Sequence, residues 1–246
     1  LDWPDPYGWL ASVRESPLVR VAEATLKLGN VDGRLQPLVV EDGRLYLARY
    51  WSLERYVAAD LRERSRASTE HEASESAVAP TGSAAAADDE VRRLFDAAAT
   101  ADHPVDQGQL AAALAAVDRD FVVISGGPGT GKTTTVARLL AGLVGAMEAQ
   151  GVDRRIALVA PTGKASARMT EAIRQAVGTL SGVLSEPVVE HLNGLEAITI
   201  HRLLGRGTGA GFRHGPADPL PHDILIVDEV SMVSLSLMAH LLAAVR

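Results

Sequence analysis

The chain contains no cysteine. That excludes disulfides, thiolate metal sites and cysteine nucleophiles, and it suits a reducing, cytoplasmic setting. No stretch of about 18 consecutive apolar residues exists, so no segment reads as a membrane span and no membrane partner is expected. The opening residues, LDWPDPYG, lack both the basic and the apolar region of a secretion signal. They also lack an initiating methionine, which points to a fragment. Positive charge is in deficit: 24 Lys+Arg stand against 31 Asp+Glu, a net of −7. The whole deficit lies in residues 1–106, while residues 107–246 balance. An acidic segment is a poor nonspecific binder of nucleic acid, because phosphate attraction dominates such affinity. The first part therefore suits a protein partner, and any nucleic-acid contact falls to a local groove in the second.

With 246 residues, 47% of them hydrophobic, the chain can build one large domain or two modest ones. Residues 1–63 read as a small α+β module suited to partner docking. It holds a helix-compatible stretch at 17–28 and a hairpin around Asp42-Gly43. A helix over 50–63 follows, with Leu53, Val57 and Leu61 at i, i+4, i+8. Residues 64–88 are rich in Ser, Ala and Glu, with almost no large apolar side chain, and read as a flexible insert. Residues 89–106 form a connecting helix broken at His103-Pro104, and 107–117 an Ala-rich helix. Beyond that the pattern alternates. A strand at 121–125 leads to a helix ending near 149, a strand at 155–160 and a helix at 163–177. An irregular stretch fills 178–222, before a strand at 223–228 and a helix at 232–245. Such alternation predicts an α/β fold over 107–246, with a parallel sheet covered by helices. No internal repeat is present.

Two segments carry chemistry. Residues 126–133, GGPGTGKT, fit the phosphate-loop pattern through Gly126, Gly131, Lys132 and Thr133. Glycines let backbone N–H groups close around phosphate oxygens, and the helix that follows adds its positive dipole end. The loop residues Gly126, Gly127, Pro128, Gly129, Thr130, Gly131, Lys132, Thr133 and Thr134 are the expected contacts to ATP. Lys132 supplies a point charge for the β/γ-phosphates, and the Thr133 hydroxyl is a ligand for Mg²⁺. The second segment, ILIVDEVS at 224–231, is a short apolar run ending in Asp228-Glu229, read as a parallel strand buried on both faces. Asp228 suits Mg²⁺, and Glu229 suits activation of the attacking water.

Three stretches narrow the reading. LVAPTGKASARM at 158–169, ITIHRLLG at 198–205 and VDEVSM at 227–232, in order behind GGPGTGKTTT, strongly resemble the RecD family. These are superfamily 1B DNA helicases found in the bacterial RecBCD nuclease–helicase, exodeoxyribonuclease V. The stretch GRLYLARYW at 43–51 resembles the same family, so the likeness covers nearly the whole chain outside 64–88. The resemblance implies a truncated P-loop NTPase (RecA-like) sheet behind a small α+β domain. The implied activity is ATP- and Mg²⁺-dependent 5′→3′ DNA unwinding in double-strand-break repair, with RecB- and RecC-like partners at DNA ends. It assigns Thr162 and Lys164, and Thr199 and His201, to contacts with the DNA strand. On the residues alone two other roles stay open: Thr199 as a helix cap and His201 as a hydrogen-bonded core histidine. An adenine-reading glutamine is implied before the first strand, with Gln107 and Gln109 both candidates. The Gly/Pro-rich stretch 206–222 is either a small β-hairpin subdomain or a surface loop. A complete motor also needs a third-motif strand and a second RecA-like domain carrying an arginine finger, and neither is recognised here. No carboxylate cluster suited to nuclease chemistry appears. Competing readings are a stand-alone RecD-like or conjugative-relaxase helicase, and a non-catalytic structural subunit.

Overall fold

The computed structural model describes residues 5–22, 36–75, 82–99, 105–127, 129–207 and 211–245. The chain divides into two compact units, residues 1–62 with 234–243, and residues 63–233 with 244–246.

The first unit opens with α1 (Pro6–Arg14), started by Asp5, whose carboxylate accepts from the Gly8 N–H at 2.8 Å. A three-stranded sheet follows, of β1 (Val19–Val21), β2 (Leu38–Glu41) and β3 (Arg44–Leu47). β1 and β2 run parallel, and β2 and β3 antiparallel. The two-residue turn between β2 and β3 needs positive φ at both positions, and Asp42 (47°) and Gly43 (74°) supply it. On one sheet face Val39 packs with Ala48 and Trp51. Trp51 stands on α2 (Ala48–Glu75) and donates its indole N–H to Glu41 at 3.0 Å. Arg55 also binds Glu41, at 2.6 Å. The register puts Val19, Val21, Leu38, Val40, Leu45 and Leu47 together on the opposite face. Val21, Leu45 and Leu47 of that aliphatic face are exposed.

The second unit is built around α5 (Lys132–Gln150). One face of α5, with Ala137, Leu140, Ala141 and Val144, packs on Leu158 of β4 (Ile156–Ala160) and on Met169, Ile173 and Val177 of α6 (Gly163–Leu180). Leu192 of α7 (Glu186–Gly194) closes the same cluster. The other face meets α3 (Gly82–Ala97) and α4 (Gln107–Asp118), where Leu139 joins Val91, Phe95 and Ala113. The parallel sheet has the order β5-β4-β6, with β5 (Ile198–Thr199) running into α8 (Ile200–Leu204) and β6 covering Ile224–Val227. A short 3-10 turn at Val230–Met232 follows β6, and the chain then enters α9 (Leu235–Ala244), whose residues up to Ala243 belong to the first unit. Among the described residues no helix is long and apolar enough to cross a membrane.

Several sequence expectations need correction. Residues 121–125 form no strand: no backbone hydrogen bond pairs them with a neighbour among the described residues, and Val123 is 73% exposed. β6 is half-buried rather than buried on both faces, because it sits at an edge of the described sheet while β4 takes the centre. The stretch expected as helix-compatible at 17–28 holds a turn at 17–18 and the strand Val19–Val21, drawn into pairing with β2; residues 23–28 lie outside the described residues. Residues 64–75 continue α2 and 82–88 begin α3. Few apolar side chains argued against a core there, but Ala, Arg and Glu are strong helix formers without one. Residues 178–222 contain α7, β5 and α8 rather than irregular chain throughout. The last helix starts at Leu235, not 232, because the Ser234 hydroxyl accepts from the Leu237 N–H.

Gly142 marks the closest approach of α3 and α5. A Cβ there would lie 2.4 Å from Val91 Cγ2 and 3.2 Å from the Val91 backbone nitrogen. Gly142→Ala gains up to about 1 kcal/mol of helix propensity. Overpacking against a backbone costs about 1–3 kcal/mol. The expected result is a lower thermal unfolding midpoint; an unchanged or raised midpoint would show that the two helices can part freely.

Candidate nucleotide and nucleic-acid site

The pairing of β4 fixes the geometry of the site. β5 joins it through Val159↔Ile198 and Ala160↔Thr199, and β6 through four pairs from Ile156↔Ile224 to Val159↔Val227. All three strands run the same way, so their carboxyl ends share one edge, where open α/β sheets bind ligands. Thr162 follows β4 at that edge, Thr199 ends β5, and Asp228 follows β6. The Asp228 N–H donates to the Val159 carbonyl at 2.9 Å, which holds the acidic pair in register with β4.

Asp228 and Glu229 are locally organised. The Glu229 N–H donates to Asp228 Oδ1 at 2.8 Å, leaving Oδ2 for another partner. Glu229 has φ 52°, in the left-handed region that non-glycine residues seldom adopt. Its side chain is exposed. Such strain, of order 1 kcal/mol, clusters at functional sites. Nothing in the sequence signals it.

The phosphate loop rises directly into α5, which begins at Lys132. Gly131 stands at its N-cap position and no side chain caps it, so the first N–H groups of the helix stay open to an anion. Gly129 and Gly131 take φ of 76° and 75°. Lys132 Nζ donates to the carbonyls of Gly126 at 2.6 Å and Gly127 at 2.8 Å, and the Thr130 hydroxyl donates to Gly127 O at 2.9 Å. Thr133 is half-buried and Thr134 exposed on the first helical turn. Pro128 lies outside the described residues. Gln109 of α4 donates its side-chain amide to Thr130 O at 3.1 Å, which singles it out from the two candidate glutamines as the one placed at the loop. The hydrogen bonds of the loop's side chains, among the described residues, run within the loop and from Gln109; none reaches Asp228 or Glu229.

The four residues assigned to the DNA strand separate by role. Thr162 caps α6, accepting from the Ala165 N–H at 3.2 Å, and Thr199 caps α8, accepting from the Arg202 N–H at 3.2 Å. Since Ala160 pairs with Thr199, the two capped helix starts lie side by side at the sheet edge. Lys164 is exposed on the first turn of α6. His201 is exposed too, with its ring 5.8 Å from that of Phe212, so it is not a core histidine. Arg206 bridges antiparallel to Phe212, and Gly215 to Asp218; both are single bridges rather than strands. At the amino end of β6, burial, followed by the charges of Arg155 and His214, holds His222 below its ordinary pKa. That group stands away from the carboxyl edge.

The donor set suits the metal that the motif implies. The Thr133 hydroxyl and the Asp228 carboxylate are hard oxygen donors, the kind Mg²⁺ takes alongside water and phosphate. Among the described residues no group of three or more His, Asp or Glu is placed to hold a metal by itself.

Comparison with known proteins places the chain among nucleotide-dependent proteins of one fold. Residues 109–246 match the family described as AAA domain. The RecBCD enzyme subunit RecD of Mycobacterium tuberculosis is 43% identical over 247 residues, taking in 100% of this chain and 36% of the relative. The RecBCD enzyme subunit RecD of Mycolicibacterium smegmatis is 41% identical over 249 residues, 100% of this chain and 38% of the relative. The ATP-dependent RecD2 DNA helicase of Deinococcus radiodurans is 43% identical over 125 residues, 51% of this chain and 14% of that helicase. The chain thus spans little more than a third of the length of the mycobacterial relatives.

Capping by Thr162 is separable from the strand contact that the resemblance assigns to it. Thr162→Ala should cost about 0.5–2 kcal/mol of stability through the lost cap. Thr162→Asp keeps a cap but sets a carboxylate where DNA phosphates would lie. The expected outcome is near-native stability for the Asp variant, with single-strand binding by the full-length protein weakened more than in the Ala variant. Equal binding by wild type and Thr162→Asp in fluorescence anisotropy would remove Thr162 from the DNA path.

Proposed function

The chain belongs to the AAA domain family, and from that premise we propose that it is the nucleotide-binding front of an ATP-driven 5′→3′ DNA helicase subunit. The full protein would work in a RecBCD-type helicase–nuclease on DNA ends during double-strand-break repair and recombination, in the cytoplasm. The observation that carries the reading is the shared carboxyl edge of β4, β5 and β6. It gathers a metal-competent carboxylate, Asp228, with the adjacent starts of α6 and α8, where Thr162, Lys164, Thr199 and His201 stand.

Each residue has a task in this reading. Gly126 to Thr134 bind ATP, and the uncapped start of α5 turns its N–H groups to the phosphates. The Lys132 ammonium rests on two neutral carbonyls, and a charged phosphate oxygen is the stronger acceptor, so binding draws it across. Thr133 and Asp228 would hold Mg²⁺, which supplies charge neutralisation at the phosphates. Glu229, exposed beside Asp228, orients and deprotonates the attacking water. Gln109 reads the adenine through its amide. Thr162, Lys164, Thr199 and His201 carry the single strand.

RecB- and RecC-like subunits are the proposed partners. The exposed Val21, Leu45 and Leu47 give the N-terminal sheet an apolar face suited to a protein surface. A stand-alone helicase is the second reading. The mycobacterial relatives that align over the whole of this chain, its N-terminal unit included, are RecBCD subunits, which supports the subunit reading.

Lys132→Ala in the full-length protein should weaken ATP–Mg²⁺ binding about tenfold or more, since hydrogen bonds to charged groups contribute roughly 1.5–3 kcal/mol. Equal affinities by calorimetry would sink the phosphate-loop assignment. Glu229→Gln retains size and polarity but not basicity. It should bind ATP almost normally and lose on the order of a hundredfold in DNA-stimulated hydrolysis. Unchanged turnover in the reconstituted complex would mean that another group activates the water.

A further inference from the structure

Gln109 touches the phosphate loop at its main chain. Its Nε2 donates to Thr130 O at 3.1 Å, across 21 residues of sequence. The side chain is presented from a firm base. Asp106 caps α4, accepting from the Gly108 and Gln109 N–H groups at 2.9 and 3.0 Å. Farther along, α4 is packed through Ala113 against Leu139 of α5, so the helix bearing Gln109 and the helix that begins in the loop move as one. The loop is shaped around this side chain: a Cβ on Gly131 would lie 2.7 Å from Gln109 Nε2. The amide tip thus rests close against the Gly131 backbone, whose φ of 75° is what favours glycine there.

The bond has a mechanical consequence. A trans peptide points its C=O and the following N–H to opposite sides. A donor that holds Thr130 O toward α4 turns the Gly131 N–H away from α4. We propose that Gln109 is a positioning residue for the phosphate loop, clamping Thr130 so that the loop grips phosphate whether or not a base is present. This rests on the reading of residues 126–133 as a triphosphate site. The amide nitrogen carries two hydrogens, and Thr130 takes one. The second N–H and Oε1 stay available, so the clamp and a base contact coexist on one side chain.

The probe that separates the two roles is inorganic tripolyphosphate with Mg²⁺, which has no base. Its binding is measured by calorimetry on the full-length protein, for wild type, Gln109→Ala, Gln109→Glu and Lys132→Ala, with thermal unfolding of each as a check on folding. A lost neutral hydrogen bond predicts that Gln109→Ala binds tripolyphosphate about three- to tenfold more weakly than wild type. Gln109→Glu should be weakened at least as much, because a carboxylate can only accept and repels the Thr130 carbonyl. Unfolding midpoints should stay close to wild type, since the amide is not part of a buried core. Tripolyphosphate binding by both Gln109 variants equal to wild type would overturn the clamp, even if ATP binding fell. Lys132→Ala keeps the two questions apart. If it too binds tripolyphosphate like wild type, the phosphate-loop reading itself fails and the clamp fails with it. If it is weakened while the Gln109 variants are not, only the clamp is wrong.

Discussion

The parallel pairing of β4 with strands on both sides is the constraint on which the second unit depends. Ala157, Leu158, Val159 and Ala160 are all buried, and Leu158 enters the core shared by α5, α6 and α7. A slip of one residue would turn Leu158 out of that core, so packing fixes the register. The register in turn decides which residues meet. Ala160 opposite Thr199 brings the starts of α6 and α8 together, and Val159 opposite Val227 brings Asp228 to the same level. The Asp228 N–H bond to Val159 O extends that pairing one step past the strand.

Helix α5 links this sheet to the helices that precede it. One face meets the sheet and α6, the other meets α3 and α4, and Gly142 allows the close approach to α3. A helix gripped on both sides is a stable platform for the loop at its first turn. Placement of the loop is thus inherited from the core, while its internal order comes from short polar bonds: Lys132 and Thr130 to loop carbonyls, and Gln109 to Thr130. The acidic pair is arranged differently. Glu229 is held in a left-handed conformation with its N–H on Asp228, so the strain is local and the two carboxylates are set by one turn of chain.

Where chemistry is local, the sequence by itself determined the outcome. Asp42-Gly43 supplies two positive φ angles in adjacent residues, and the hairpin forms there because few other pairs tolerate them. The loop at 126–133 is recognisable because Gly126, Gly131, Lys132 and Thr133 stand at the spacing of a phosphate-loop pattern, and Thr199 caps a helix by a bond spanning three residues. Tertiary structure decided the rest. A strand exists only by virtue of its neighbour, which is why the apolar run at 121–125, unpaired among the described residues, is no strand, and why Val19–Val21 became one once β2 lay beside it. Helix propensity acts without a core, so residues 64–75 are helical although their composition suggested flexible chain. Gln107 and Gln109 could not be told apart in sequence. Two residues apart on a helix point in different directions, and only the packing of α4 on α5 chose which one faces the loop.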